Sequence, residues 1–204
     1  MKKLLAVVLL AAAMVAPAFA AEKGSMEIDG KLGVLFSPTI NGEASFMGET
    51  RDQDVDLKST VSLGADFFYY VDPQIALGFG LEYVIPSEVD EDGAAGSSKV
   101  GTTNLFVQAK YDIALNNDIF NNIYPIAQVG YGINSVDIDT DEDSIDTKNG
   151  LYWGIGLGTT IKENFLVELF YSFTYGKWEP EGAPFTIDTT YKALKLKLGY
   201  KFSI

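Results

Sequence analysis

The chain of 204 residues contains no cysteine and no histidine. Without cysteine no disulfide can hold the fold, so its cohesion must come from packing and hydrogen bonds. Without histidine the chain lacks the commonest general base, the imidazole of a catalytic triad and the usual ligand of catalytic zinc. These absences argue against most hydrolase mechanisms. We therefore expect neither an enzyme nor a bound cofactor.

Long apolar runs are also scarce, and the only one lies near the N-terminus. Two lysines precede the apolar residues 4–15, which a proline and the small-residue motif Ala18-Phe-Ala20 follow. This order is typical of a secretory signal peptide, and the run is short for a transmembrane helix, which needs about 20 apolar residues. We predict that residues 1–20 are cleaved and that residues 21–204 form one domain.

Positive charge is in short supply. The chain has 15 basic and 28 acidic residues, which gives a net charge of −13 at pH 7. A protein this acidic is repelled by a phosphate backbone, so nucleic acid is excluded as a partner.

What the chain does have is a regular alternation of apolar and polar residues, which predicts β-strands. Eight segments show it: residues 25–36, 60–71, 75–85, 103–112, 123–134, 151–161, 165–176 and 190–202. The connections 72–74, 113–122 and 162–164 are short, and the other four are long, polar and acidic. Short turns at one end and long loops at the other are typical of an up-and-down β-barrel.

The position of charge within the strands separates a membrane barrel from a soluble one. On the apolar faces the only charged residue is Lys192. The opposite faces carry ten: Glu27, Asp29, Lys31, Asp66, Glu82, Lys110, Glu168, Lys195, Lys197 and Lys201. A soluble barrel would have to pack roughly forty large apolar side chains into an interior that eight strands barely fill with ordinary ones. Facing lipid, the same side chains need no partner. We predict an all-β fold, an eight-stranded antiparallel up-and-down transmembrane β-barrel.

The ten inward charges are five acids and five bases, so they sum to zero. Unpaired charges in a narrow interior are costly, and matched numbers indicate a network of salt bridges. Heights counted from the short turns place Glu27 and Asp29 beside Lys197 and Lys201, Asp66 and Glu168 level with Lys110, and Glu82 level with Lys195. Two interpretations stay open: a network that closes the lumen, or a gated polar pathway.

Three stretches resemble strands of the small outer-membrane β-barrel proteins, the family of OmpX, OmpW, the opacity proteins and the OmpA membrane domain. They are Tyr124-Pro-Ile-Ala-Gln-Val-Gly-Tyr-Gly-Ile133, Gly154-Ile-Gly-Leu-Gly158 and Lys195-Leu-Lys-Leu-Gly-Tyr-Lys-Phe202. The resemblance implies a bacterial outer-membrane location, contact with membrane lipid and lipopolysaccharide, and insertion by the barrel assembly machinery.

The last strand also resembles the signal that this machinery reads. Lys195, Tyr200 and Phe202 match its polar and aromatic positions, whereas Lys197 occupies the place of its glycine. The family resemblance implies a role in envelope structure or surface interaction with a closed lumen. The alternative is a narrow, porin-like channel of the OmpW type for small or hydrophobic solutes. Barrel enzymes of similar size depend on a histidine, which this chain lacks.

The long connections concentrate the acidic residues, with 18 of the 28. The alternating Asp137, Asp139, Asp141 and Asp143 are the candidate metal ligands, because their spacing is similar to the start of a calcium loop. The glycine and the closing glutamate of such a loop are missing. Two other roles fit the charge: divalent cations could bridge these loops to lipopolysaccharide phosphates or a surface ligand, or the loops are simply solvated.

Overall fold

The computed structural model describes residues 22–46, 49–88, 99–115, 117, 119–137, 145–180 and 186–203. The predicted signal peptide lies outside these residues and stays a prediction. Nowhere in the described ranges is there a helix of the length and apolarity needed to cross a membrane.

The described residues form eleven strands. They are β1 (Met26–Phe46), β2 (Glu49–Asp56), β3 (Thr60–Asp72), β4 (Ile75–Glu88), β5 (Lys99–Tyr111), β6 (Ile113–Ala114), β7 (Phe120–Asp137), β8 (Ile145–Lys148), β9 (Gly150–Ile161), β10 (Phe165–Pro180) and β11 (Thr186–Ser203). Eight of them, β1, β3, β4, β5, β7, β9, β10 and β11, each overlap one of the segments predicted from the sequence. The strands β2, β6 and β8 are additions that pair beside β1, β7 and β10.

The eight long strands form a closed sheet. Each pairs antiparallel with the next long strand along the chain, and β11 pairs with both β10 and β1. Closure satisfies the backbone groups of the wall without an open edge. The predicted eight-stranded antiparallel up-and-down barrel is confirmed. We call the end with the turns after β3 and β9 the short-turn end, and the opposite end the long-loop end.

Most of the long strands extend further toward the long-loop end than the sequence predicted, and β1 and β4 do so by continuing past a proline. β1 continues past Pro38, where the register shifts between Phe36 and Thr39 and Ser37 adopts a φ of 36°. β4 passes Pro86 in the same way, with a shift between Val84 and Ser87. Proline cannot donate to the ladder, and a bulge lets the strand resume beyond it.

The outer face of the barrel is apolar. Large side chains such as Leu32, Phe79 and Leu169 are exposed there, while their neighbours in sequence lie on the inward face. Exposed aromatic residues lie near both ends. At the short-turn end they are Tyr69, Phe165, Tyr200 and Phe202, and at the long-loop end Phe36, Tyr83, Tyr131 and Tyr175. This arrangement matches the aromatic bands that mark the two interfaces of a membrane barrel.

Candidate functional site

The lumen collects the charges that the sequence assigned to the inward faces. Nine of the ten are buried, and Lys201, at the short-turn end, is half-buried. Burying a charge costs free energy unless it is paired and hydrogen-bonded, so the contacts of each group decide what the lumen can do. The buried charges form three groups.

The Lys31 cluster comprises Asp29, Lys31, Asp66, Tyr124 and Glu168. Lys31 Nζ lies 2.7 Å from Asp66 Oδ2, 2.7 Å from Glu168 Oε1 and 3.4 Å from Asp29 Oδ2. The Tyr124 hydroxyl donates a hydrogen bond of 2.9 Å to Glu168 Oε1. Three carboxylates therefore share one ammonium group, and a lysine has three protons to give.

The Glu82 cluster comprises Ser62, Glu82, Lys195 and Lys197. Glu82 Oε2 accepts a hydrogen bond of 2.6 Å from Lys195 Nζ. Its other oxygen, Oε1, accepts one of 3.0 Å from the Ser62 hydroxyl and lies 3.2 Å from Lys197 Nζ. One carboxylate thus faces two ammonium groups, the reverse of the charge balance in the Lys31 cluster.

The Glu27 cluster lies at the short-turn end and comprises Glu27, Tyr70, Lys110, Asp112 and Lys201. Glu27 accepts a hydrogen bond from Lys110 and lies 4.0 Å from Lys201. The Tyr70 hydroxyl is 3.0 Å from Glu27 Oε2 and 2.8 Å from Asp112 Oδ2. Because a hydroxyl has one proton, it can donate to only one of these carboxylates at a time.

Asp112 is the end of a predicted strand and is not among the ten charges that the sequence places in the lumen. It lies between β5 and β6, is buried, and also accepts a hydrogen bond from the side chain of Asn122. Burial raises the pKa of its carboxyl above the ordinary value. A cavity of about 320 Å³ lies beside these groups, lined among others by Glu27, Asp112 and Lys201.

Some of the predicted partners are observed and others are not. Glu82 does contact Lys195, and Glu27 does approach Lys201. In contrast, Lys197 contacts Glu82 rather than Glu27 or Asp29, and Lys110 contacts Glu27 rather than Asp66 or Glu168. The pairs predicted by counting residues from the turns were wrong here because the strands of a closed barrel are tilted and staggered. Residues at the same distance from a turn therefore do not lie at the same height in the lumen. In the register of β1 and β11, Lys197 lies opposite Gly33.

Aromatic rings fill much of the remaining lumen, and glycines on neighbouring strands make room for them. A Cβ atom at Gly154 or Gly156 would collide with the ring of Phe170, and one at Gly158 with the ring of Tyr124. Two of the rings also support the charges. Lys197 Nζ lies 4.5 Å from the centre of the Phe170 ring, and Lys110 Nζ lies 4.2 Å from that of Phe68. Such contacts stabilise an ammonium group away from water.

An apolar cluster lies at the long-loop end of the lumen. Its buried members are Leu35, Ile40, Leu57, Val84, Val100, Tyr191 and Ala193. Leu57 belongs to the connection between β2 and β3 and is fully buried. Its backbone N–H donates a hydrogen bond of 2.8 Å to the Pro38 carbonyl, and the next residue, Lys58, forms an ion pair of 2.9 Å with Glu88.

The alternation pattern used to find the inward charges does not reveal this apolar cluster as a whole. Leu35 could have been found, because it continues the inward alternation of Glu27, Asp29 and Lys31 along β1. Leu57 lies in an irregular connection, where no periodicity indicates which way a side chain points.

The proposed assembly signal is divided between the two faces of β11. Tyr200 and Phe202 point outward and are 40% and 56% exposed, whereas Lys195 points inward and belongs to the Glu82 cluster. The Tyr200 ring contacts Phe165 edge-on, with ring centres 5.5 Å apart. The two aromatic residues are therefore accessible from the lipid side.

The candidate metal ligands fall mostly outside the part of the chain that the structure describes. This applies to Asp139, Asp141 and Asp143, while Asp137 ends β7 and its side chain is not described. Within the described ranges, no three or more acidic side chains are grouped so that they could hold a metal ion.

Two solved structures share this architecture. The outer membrane protein OprG of Pseudomonas aeruginosa superimposes with a TM-score of 0.51 at 17% identity, covering 90% of this chain and 98% of OprG. Neisserial surface protein A superimposes with a TM-score of 0.51 at 14% identity, covering 87% of this chain and 97% of that protein. At such identities the likeness shows a common fold.

At the sequence level, no curated protein matches the chain. The profile of one family does match, over residues 5–202, and it is that of the outer membrane protein beta-barrel domain. The match spans nearly the whole chain and agrees with the closed sheet, its apolar outer face and its aromatic bands. The chain therefore belongs to the family of small β-barrel proteins of the bacterial outer membrane.

Proposed function

We propose that this protein is a barrel with a closed lumen, that it acts in envelope structure or through surface interactions of its loops, and that it is not an enzyme. The observation that carries the proposal is that ion pairs cross the lumen. Lys195 on β11 contacts Glu82 on β4, and Lys110 on β5 contacts Glu27 on β1. In both pairs two further strands of the sheet lie between the partners, so the side chains occupy the space through which a solute would pass.

The contacts of these charges favour a closed lumen over a pathway. Ions in a selective pore must bind weakly enough to leave, which requires charges that are free to exchange partners. Here Lys31 already contacts three carboxylates, and Glu82 contacts two lysines and a serine. Breaking a buried pair by removing one partner costs about 3–5 kcal/mol. A passing ion would have to displace one of these partners at each cluster.

The apolar cluster supports closure at the long-loop end. A hydrated ion or polar solute would have to shed its water to pass Leu35, Leu57 and Val84, and the Tyr191 hydroxyl alone in that cluster could not replace the lost hydrogen bonds. The connection that contains Leu57 is held by backbone hydrogen bonds from Leu57 to Pro38 and from Lys58 to Glu88. By contrast, the cavity of about 320 Å³ is at the short-turn end.

If the lumen is closed, the loops are the surface through which the protein interacts with other molecules. In barrels of this kind the short turns face the periplasm and the long loops the outside, and we assign the same orientation here. The long connections hold most of the acidic residues, and Glu43, Asp54, Asp56 and Asp188 are exposed at that end. Such a surface suits divalent cations shared with lipopolysaccharide phosphates, or a cationic surface ligand. Insertion by the barrel assembly machinery would use the outward Tyr200 and Phe202.

The test is electrical. Purified protein in planar lipid bilayers is expected to show no stable single-channel steps in concentrated KCl. The double variant Leu57→Ala, Phe170→Ala should open a measurable conductance, because it removes one blocking group from each of two levels of the lumen. The matched control is Leu63→Ala, Phe79→Ala, which truncates one leucine and one phenylalanine on the lipid-facing side. Robust steps from the unaltered protein would overturn the proposal in favour of a narrow channel.

A further inference from the structure

A small cavity separates the Lys31 cluster from the Glu82 cluster. It measures about 10 Å³ and is lined on one side by Lys31 and Asp66, and on the other by Ser62, Glu82 and Lys197. A cavity needs roughly 10–15 Å³ to hold one water molecule. The space is therefore of the size of a single water, and every one of these five side chains has a polar group.

The two clusters leave hydrogen-bonding capacity unused around this cavity. Lys197 Nζ has three N–H groups, and among the described residues its contacts are Glu82 Oε1 and the face of Phe170. At least one N–H group is left without an acceptor. Asp66 uses Oδ2 for its contact with Lys31, and none of the hydrogen bonds in the described ranges ends on its Oδ1. Lys197 and Asp66 both line the cavity, so one residue with an unused donor and one with an unused acceptor border the same space.

We propose that this cavity is a binding site for one ordered water molecule. The water accepts a hydrogen bond from Lys197 Nζ, donates one to Asp66 Oδ1, and directs its second hydrogen to the Ser62 hydroxyl oxygen. Buried waters in proteins typically make about three such bonds. The water joins the two clusters, one with excess carboxylate and one with excess ammonium, into a single hydrogen-bonded network.

The chemistry of the lining selects a neutral ligand. A small cation would face the ammonium groups of Lys31 and Lys197, and an anion would face the carboxylates of Asp66 and Glu82. Water can accept from the first kind of group and donate to the second. The site depends only on the cavity and the two clusters, so it does not rest on whether the lumen conducts.

Gly64 offers a way to test the site, because it also lines the cavity. A Cβ atom at this position would lie 3.4 Å from the Leu81 carbonyl oxygen and 3.9 Å from Lys31 Cβ, which are ordinary contacts. In Gly64→Ala a methyl group takes the place of the water and leaves Lys197 and Asp66 unsatisfied. In Gly64→Ser a hydroxyl group takes that place and can restore part of the bonding.

The experiment compares the unfolding equilibria of Gly64→Ala and Gly64→Ser in lipid vesicles with urea. We expect the serine variant to be the more stable, with an unfolding constant about tenfold smaller, since a buried group without a partner is expensive. The matched controls are Gly30→Ala and Gly30→Ser on the exposed face, where a Cβ atom has no neighbour within 4 Å. There lipid should favour alanine over serine. Equal stability at position 64, or a more stable alanine variant, would overturn the proposal.

A second measurement looks for the water directly and begins with the unaltered protein. A high-resolution crystal structure of the unaltered protein should show one isolated density peak within hydrogen-bonding distance of Lys197 Nζ and Asp66 Oδ1. In Gly64→Ser crystals the serine hydroxyl should replace that peak. A wild-type cavity without density, or with the anomalous signal of a metal ion, would contradict the water site.

Discussion

Lys195 Nζ lies 2.6 Å from Glu82 Oε2, although the two residues are 113 positions apart in the chain. They belong to β11 and β4, and β1 and β3 lie between these strands in the sheet. Hydrogen-bond ladders hold each strand to its neighbours but do not connect opposite walls. Contacts of this kind connect them across the lumen, so their loss should affect the whole barrel rather than one strand pair.

The Lys31 cluster should be the most sensitive to loss of charge. In Lys31→Met, Asp29, Asp66 and Glu168 lose their shared ammonium group, and the free energy of unfolding should fall by about 3–5 kcal/mol. Urea unfolding in lipid vesicles, followed by the heat-dependent shift in gel mobility, measures the change. The control is Lys192→Met, on the outward face of β11. A loss at Lys31 no larger than that at Lys192 would show that the cluster is not needed for stability.

The cross-lumen pair itself can be measured with a double-mutant cycle. Glu82→Gln and Lys195→Met should together destabilise the barrel by less than the sum of their separate effects, with a coupling of about 1–3 kcal/mol. The exposed pair Lys177–Asp188, at 2.9 Å, is the control, and its coupling should stay below about 1 kcal/mol. Additive effects at Glu82 and Lys195 would mean that their proximity contributes nothing to stability.

Gly158 should not accept a side chain. A Cβ atom there would collide with the ring of Tyr124, whose hydroxyl donates a hydrogen bond to Glu168. Gly158→Ala should therefore lower the free energy of unfolding by about 1–3 kcal/mol. Gly30→Ala, with no neighbour within 4 Å, is the control for alanine in a strand. Adding Tyr124→Leu to Gly158→Ala should relieve the collision. If Gly158→Ala is as stable as Gly30→Ala, the ring does not pack on this glycine.

Asp112 should make stability depend on pH in an unusual direction. Its pKa is raised in the folded protein, so ionisation is harder there than in the unfolded chain. The free-energy cost of ionising Asp112 in the folded protein is absent when the pH is below the ordinary pKa of an aspartate. It grows as the pH rises through the raised pKa. Asp112→Asn removes this cost and provides an N–H group for the Tyr70 oxygen. We expect the variant to be more stable than the unaltered protein at neutral pH and equal to it in acid.

The measurement is urea unfolding of both proteins across the acidic and neutral range. The control is Asp72→Asn, which removes an exposed carboxyl at the same end of the barrel. If Asp112→Asn is less stable than the unaltered protein at neutral pH, the negative charge of Asp112 stabilises the fold and the prediction is wrong.

Much of the fold was predictable because its cause is local. Alternation shows which side chains lie on each face of one strand, and it does not depend on the neighbouring strands. In β1 the apolar residues Met26, Ile28 and Leu32 alternate with Glu27, Asp29 and Lys31. Turn residues such as Pro73 mark the short connections in the same local way. The ends of β1 and β4 were not predictable, since a proline normally ends a strand and only the neighbouring strand allows a bulge to continue it.

The alternation along each strand is enough to show that the wall is apolar outside and charged inside. The pairing of the inward charges follows from the closed barrel, which also contains a sixth lumen carboxyl at Asp112. The contacts of Lys110 with Glu27 and of Lys197 with Glu82 depend on the tilt and stagger of a closed sheet, a property of all eight strands together. The same closure brings Leu57 to the long-loop end of the lumen, where no local signal indicates its position, whereas Asp112 could have been found because it continues the inward alternation of Gln108 and Lys110.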